Sequence, residues 1–269
     1  MEKATSEVHY RTLFISDIHL GTKDSQAEAF LDFFKHYSAD KIYLVGDIVD
    51  FWKIQRRGAH WPQAQNDVVQ KLLRAVRKGT EMVYIPGNHD EALRDYCGTH
   101  FGGIEIMLQD IHETADGKRY LIMHGDEFDV VVKYSKWLAH LGDWAYEVAL
   151  RMNRYFNFFR RKTGRPYWSL SAFLKKKVKG AVNFIGDFEN SLAREAQTQK
   201  VDGIICGHIH TAAMRDIKGV HYINTGDWVE SCTAVGETFD GKFEMIDWMS
   251  EVETRHAQEQ QPQKLNAVA

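Results

Sequence analysis

Three short apolar runs set the pattern of the N-terminal half: RTLFISD (11–17), KIYLVGD (41–47) and EMVYIPGN (81–88). Each stops at a polar, often glycine-containing segment, which predicts a buried strand followed by a loop. Between them the period changes. Ala27, Phe30, Phe33 and Phe34 recur at helical spacing within 25–37. Val68, Val69, Leu72, Leu73 and Val76 do so within 62–78, with Pro62 at the start and Gly79 just past the end. Strands alternating with helices predict an α/β fold with a largely buried sheet.

Further along, IHETADGKRYLIMHGD (111–126) predicts a hairpin turning at Asp116-Gly117. VDGIICGHIH (201–210), GVHYINTGDW (219–228) and AVGETFDGKFEMIDW (234–248) repeat the strand-and-loop style, the last with a turn at Asp240-Gly241. Two sheets flanked by helices accommodate these strands. From 130 to about 200 the strand signal gives way to helical character. Lys133, Lys136, Arg151, Arg154, Arg160 and Arg161 alternate there with Trp137, Trp144, Tyr155, Phe156 and Phe159, and Asp143 and Glu147 are the only acids between 133 and 180. The pattern predicts a domain spanning 8–249, interrupted at about 130–200 by a basic, aromatic helical insertion. Residues 250–269, polar and glutamine-rich, have little to bury and predict a disordered tail.

Composition adds exclusions. A net charge of -3 does not by itself argue for nucleic acid or an anionic surface. Cys97, Cys206 and Cys232 are odd in number and lack metal-type spacing, so no disulfide framework is expected. No apolar N-terminal segment and no run long enough for a bilayer is visible, which points to a cytoplasmic protein.

The chemistry lies where the apolar runs stop. Asp17-x-His19, Gly46-Asp47, Gly87-Asn88-His89-Asp90, His124-Gly125-Asp126 and His208-x-His210 each follow a predicted strand, and loops at such strand ends gather on one edge of a sheet. Alternate residues of extended chain share a side, which suits Asp17 with His19 and His208 with His210. Carboxylate, amide and imidazole donors without thiolate suit Mn²⁺, with Zn²⁺ or Fe as alternatives. Asp17, His19, Asp47, Asn88, His124, His208 and His210 are too many for one tetrahedral ion. They match two ions roughly 3.5–4 Å apart that share a carboxylate and flank a hydroxide. His89, adjacent to Asn88, points away from the same ion and is placed to touch a substrate phosphate or protonate a leaving oxygen. Asp90 either orients the His89 imidazole or caps a helix starting at 90.

SDIHL (16–20), VGDIVD (45–50), PGNHDE (86–91), MHGD (123–126) and CGHIHT (206–211) resemble the signature blocks of the calcineurin-like metallophosphoesterase superfamily, in family order. The resemblance covers about 11 to 230 apart from the insertion. It implies a four-layer α-β-β-α sandwich, with Asp17, His19, Asp47 and His210 on one metal and Asp47, Asn88, His124 and His208 on the other. In size, in the position of the insertion and in TGDW (225–228), the chain also resembles bacterial UDP-2,3-diacylglucosamine pyrophosphatases of lipid A synthesis. That likeness implies a lipid or nucleotide phosphate substrate, an insertion acting as a lid over acyl chains, and peripheral contact with the inner membrane. At His89, those enzymes carry Arg and general phosphoesterases carry His. A general phosphodiesterase or a nuclease acting on nucleotides or single-stranded nucleic acid is therefore the alternative.

Overall fold

The computed structural model describes residues 8–56, 60–128, 185–186 and 188–255. The chain divides into two compact units, 1–125 with 193–269, and 126–192. The expected insertion falls chiefly on residues 129–184, outside those described, and so does its expected role as a lid. The first unit holds both sheets.

Sheet one has the order β12-β11-β1-β2-β3-β5-β4, built from β1 (Val8–Ile15), β2 (Tyr37–Val45), β3 (Glu81–Ile85), β4 (His100–Phe101), β5 (Ile104–Ile106), β11 (Thr233–Glu237) and β12 (Phe243–Asp247). Sheet two has the order β6-β7-β8-β10-β9, from β6 (Asp110–Glu113), β7 (Arg119–Ile122), β8 (Gly203–Cys206), β9 (Ala213–Ile217) and β10 (Val220–Asn224). In sheet one, β1, β2, β3 and β5 run parallel. In sheet two, β7, β8 and β10 do. Antiparallel strands close the edges, and the expected turns at Asp116-Gly117 and Asp240-Gly241 join β6 to β7 and β11 to β12.

The period-two signal of the apolar runs explains the layering. Phe14, Tyr43, Val45, Val83 and Ile85 point from sheet one into a core shared with Tyr120, Ile122, Ile205 and Ile223 of sheet two. Their neighbours Leu13, Ile15, Ile42, Leu44 and Met82 point the other way, into a second core. That core is covered by α1 (Ala27–His36) and α3 (Gln63–Arg77), which present Phe30, Phe33, Val68 and Leu72, with the single turn α2 (Phe51–Ile54) between them in sequence. Strands buried on both faces read as continuous apolar runs, as the sequence shows. Residues 188–199 are helical, and within the first unit Ala193 and Ala196 are buried while Gln197 donates to the Lys218 carbonyl beside β9.

Two features were not expected. β4, β5 and β9 lack apolar runs and appear only as edge strands or next to one. The tail does not begin at 250: residues 248–255 are helical. The Tyr37 hydroxyl donates to Glu251, and the Arg255 guanidinium lies 5.0 Å from the centre of the buried Trp248 ring, which anchors this turn. The remainder of the expected tail lies outside the described residues. Among the described residues no helix is long and apolar enough to cross a membrane.

The two sheets are also joined by charge. Glu237 on β11 is fully buried and accepts from Arg11 on β1 at 2.8 Å and from the Ala115 N–H at 2.8 Å, while His112 on β6 lies 2.7 Å away. Burial pushes the Glu237 carboxyl up, but His112 and the Ala115 N–H hold it below its ordinary value. Removing one partner of a buried network strands the others. Glu237→Ala is expected to lower the unfolding free energy by about 3 kcal/mol, measured by urea titration near neutrality. Because the folded pKa is depressed, this stabilisation is present above the unfolded value and is lost as pH falls through the folded one. The gap between wild type and variant should narrow in acid.

Candidate metal centre

The loops after β1, β2, β3, β7 and β8 meet at one edge of the paired sheets. Parallel pairing continues past the strand ends: the Asp17 N–H donates to the Gly46 carbonyl (3.0 Å), His19 to Asp47 (2.9 Å) and Leu20 to Ile48 (2.9 Å). The loops are thus in register with one another before any side chain acts. Asp17, His19, Asp47, His208 and His210 all have φ between 51° and 72°. Left-handed backbone costs a non-glycine residue on the order of 1 kcal/mol. Among the described non-glycine residues only Lys200, Lys218 and Cys232 share it outside this site. Strain is therefore concentrated where the side chains converge.

Each aspartate uses its two oxygens differently. Asp17 Oδ2 accepts the His208 N–H at 3.0 Å, which leaves Oδ1 facing His210 Nε2 at 3.1 Å and His19 Nε2 at 3.8 Å. Asp47 Oδ1 accepts the His89 N–H at 2.8 Å, while Oδ2 lies 3.4 Å from His124 Nε2 and 3.8 Å from His19 Nε2. His124 is oriented from behind, its Nδ1 lying 2.9 Å from the Val45 carbonyl. Three ligand-competent groups result among the described residues, Asp17-His19-His210, Asp47-His124-His208 and His19-Asp50-His89. Asp47 Oδ2 faces an imidazole of each. Asn88 is buried beside them, and its Oδ1 has no hydrogen-bond partner among the described residues. Gly87 admits this packing, since a side-chain carbon there would strike both Asp47 and His124.

His89 sits at the rim of this cluster, its ring packed against Trp52 at 4.3 Å between centroids and edge-on to His19 at 4.7 Å. The residue that orients it is Asp50, whose Oδ2 is 3.0 Å from His89 Nδ1 and 3.4 Å from His19 Nδ1. The expected role of Asp90 is corrected accordingly. Asp90 is fully buried and turned inward, accepting from the N–H groups of Asp47, Ile48 and Gly87 and from the Tyr84 hydroxyl. It makes no side-chain cap for the short 3-10 turn Glu91–Tyr96 either. Its carboxylate ties the β2 loop to the β3 loop. Burial and the nearby Asp47 charge push it above its ordinary value.

A sequence model of the family described as calcineurin-like phosphoesterase matches residues 10–212. The chain belongs to the calcineurin-like phosphoesterase family. The UDP-2,3-diacylglucosamine hydrolase of Aliivibrio fischeri is 28% identical over 228 residues, covering 80% of this chain and 90% of that one. The DNA polymerase II small subunit of Methanothermobacter thermautotrophicus is 26% identical over 254 residues, covering 82% of this chain and 48% of that one. Among solved structures, the phosphoesterase Yfce of E. coli is similar at 15% identity and a TM-score of 0.42, covering 88% of this chain and 98% of that one. The protein is thus a hydrolase of the metallophosphoesterase type.

The donor set of this phosphoesterase fits divalent metal. His19 Nε2 and His210 Nε2 approach to 3.2 Å with Asp17 Oδ1 between reach of both, so lone pairs converge where a cation would satisfy them. Burial pushes the His19 imidazole down, yet Asp17, Asp50 and Asp47 together drive it up to about 10. The surrounding field calls for positive charge at this point. Burial likewise pushes Asp50 up, but His19 and His89 hold it well below the usual carboxylate range, as an anion. Displacing the ligands without removing them should expose this dependence. Gly87→Ala is expected to weaken Mn²⁺ binding by roughly 10–100-fold, the usual effect of disturbing the groups that position metal ligands. Metal analysis after equilibrium dialysis, with far-UV circular dichroism to confirm folding, measures it.

Proposed function

We propose that the protein is a dinuclear-metal phosphodiesterase or pyrophosphatase, with Asp17, His19, Asp47 and His210 holding one ion and Asp47, Asn88, His124 and His208 the other. The observation that carries this reading is the split use of Asp17 and Asp47, one oxygen fixed by a backbone N–H and the other aimed at imidazoles. Ligands held this way are pre-oriented, so binding need not order them. When bound, two divalent ions, Mn²⁺ by preference, would lower the pKa of water and neutralise phosphoryl oxygens.

His89 is the catalytic residue of this reading. Its Nδ1 faces the anionic Asp50 and its Nε2 side lies near the centre, 4.0 Å from Asp47 Oδ2. With Nδ1 turned to Asp50, Nε2 is the atom left to bind a phosphoryl oxygen or pass a proton to the leaving oxygen. Asp50 is a positioning residue, acting through His89.

For the substrate we favour UDP-2,3-diacylglucosamine or a related lipid-linked nucleotide. Several relatives at 26–28% identity over most of both chains bear the name UDP-2,3-diacylglucosamine hydrolase. An acyl-bearing substrate would be met in the cytoplasm at the inner membrane. The DNA polymerase subunit relative supports the alternative, cleavage of nucleotides or single-stranded nucleic acid.

The purified Mn²⁺-loaded protein should be assayed against UDP-2,3-diacylglucosamine, bis-p-nitrophenyl phosphate, single-stranded DNA and cyclic nucleotides. Preference for the first supports the lipid assignment, and cleavage of the generic ester alone removes it. Asp47→Ala is expected to abolish metal-dependent turnover of every substrate; activity that survives would refute the dinuclear reading. His89→Ala is expected to lower kcat by about 10²–10⁴, the usual worth of a general acid, with metal content unchanged. Asp50→Asn should cost less and shift the pH profile of kcat. Combined with His89→Ala it should add nothing, and an additive double variant would separate Asp50 from His89.

A further inference from the structure

Behind the metal centre, under the β4–β5 hairpin, lies a cavity of about 560 Å³. Its walls are Val69 and Leu73 of α3, Ile104 of β5, and Ile48 and Val49 of the loop that carries Asp47. The hairpin comes down on α3 at its tip. Gly102 and Gly103, both with positive φ, allow this, since a side-chain carbon at either would strike Leu73 or Val76. The hollow remains beneath. It opens past Tyr96 and Phe101, which are 58% and 74% exposed.

Two properties narrow the occupant. The size is that of pockets that hold whole small ligands, about 300–1,000 Å³, and close-packed interiors do not ordinarily leave such a space. The lining is apolar to its floor, aliphatic apart from Phe51 and the rings of Tyr84, Tyr96 and Phe101. Of the polar groups that border it, the Tyr84 hydroxyl is already bonded to Asp90, and Thr99, His100 and Tyr96 stand at the exposed rim. A nucleobase, sugar or phosphate would lose its hydrogen bonds to water inside and gain none. A saturated chain loses nothing. The exposed rings at the mouth also form an apolar lip of the kind that marks an interaction site rather than a solvated surface.

We propose that this cavity binds a single saturated alkyl chain, carried either by a free fatty acid or by an acylated phosphate. The polar rim at Thr99 and His100 would leave the head group outside. This goes beyond the phosphoesterase reading and does not depend on it, because the readout is binding without turnover.

The test is displacement of a fluorescent fatty acid by octanoate, decanoate, dodecanoate and tetradecanoate, each below its micellar concentration. Affinity should rise roughly fourfold per added methylene until the cavity is full, then level off. Val69→Trp and Ile104→Trp should each weaken dodecanoate by roughly 50-fold by taking the space of about three methylenes, with thermal unfolding showing that they fold. Phe101→Ala, at an exposed position, should weaken binding without that concern. Dodecylphosphonate with and without Mn²⁺ identifies the source. Tighter binding with the metal assigns the chain to a phosphate-bearing lipid, and equal binding assigns it to a free fatty acid. No displacement, affinity independent of chain length, or indifference to all three variants would overturn the proposal.

Discussion

One oxygen of Asp47 is held by the backbone N–H of His89 while the other faces His19 and His124, and every loop of the centre is tied to that arrangement. The first bond fixes the β3 loop, and with it Asn88 and His89. The second oxygen faces an imidazole from each of two ligand-competent groups. Asp17 repeats the device between the β1 and β8 loops through the His208 N–H. The two carboxylates thus fasten loops from different sheets with the same groups they offer to metal. Repulsion among the remaining acceptors is what the fold must withstand until a cation relieves it.

The fold withstands it through its cores. Each left-handed residue costs on the order of 1 kcal/mol, while each buried aliphatic or aromatic side chain contributes roughly 1.5–3 kcal/mol. The strained residues follow directly on the best-buried strands, where Phe14, Ile15, Val45, Ile85, Ile122 and Cys206 are essentially inaccessible. Trp228 joins the two halves: its N–H donates to the Asp17 carbonyl and its ring packs on Phe30 and Phe33 of α1. The TGDW segment therefore supports the centre from the helical side, and the adjacent Asp227 closes its own turn by accepting from Val229 and Glu230.

Most of this was legible because strand burial and ligand chemistry leave coincident marks, an apolar run ending in Asp, His or Asn. The α1 and α3 stripes, both Asp-Gly turns and the central strands follow the same logic. β4 and β5 were not legible, since two or three residues between Gly98, Gly102 and Gly103 carry no periodicity. Asp50 was missed for a different reason. It stands in VGDIVD three residues past Asp47, and its contact with His89 crosses from the β2 loop to the β3 loop, which linear spacing does not record. A signal was nevertheless present. The rule that adjacent residues of extended chain point apart separates His89 from Asn88, and it equally separates His89 from Asp90.

The segment from Asp47 to Phe51 shows how one loop serves two environments. Asp47 and Asp50 face the ligands and His89, while Ile48, Val49 and Phe51 line the apolar cavity behind them. Asp90 grips its backbone from below through the N–H groups of Asp47 and Ile48. The split follows from a bent backbone, left-handed at Asp47 and turning into a short helix after Asp50, and its consequence is mechanical. A side chain cannot be pushed on the cavity face without moving the backbone that positions the Asp47 carboxylate, unless the Asp90 bonds absorb the shift. Tyr84 donates to Asp90 from the cavity side, so the same carboxylate feels both environments. The buried Tyr84–Asp90 pair is thus the point at which the apolar space and the polar centre meet.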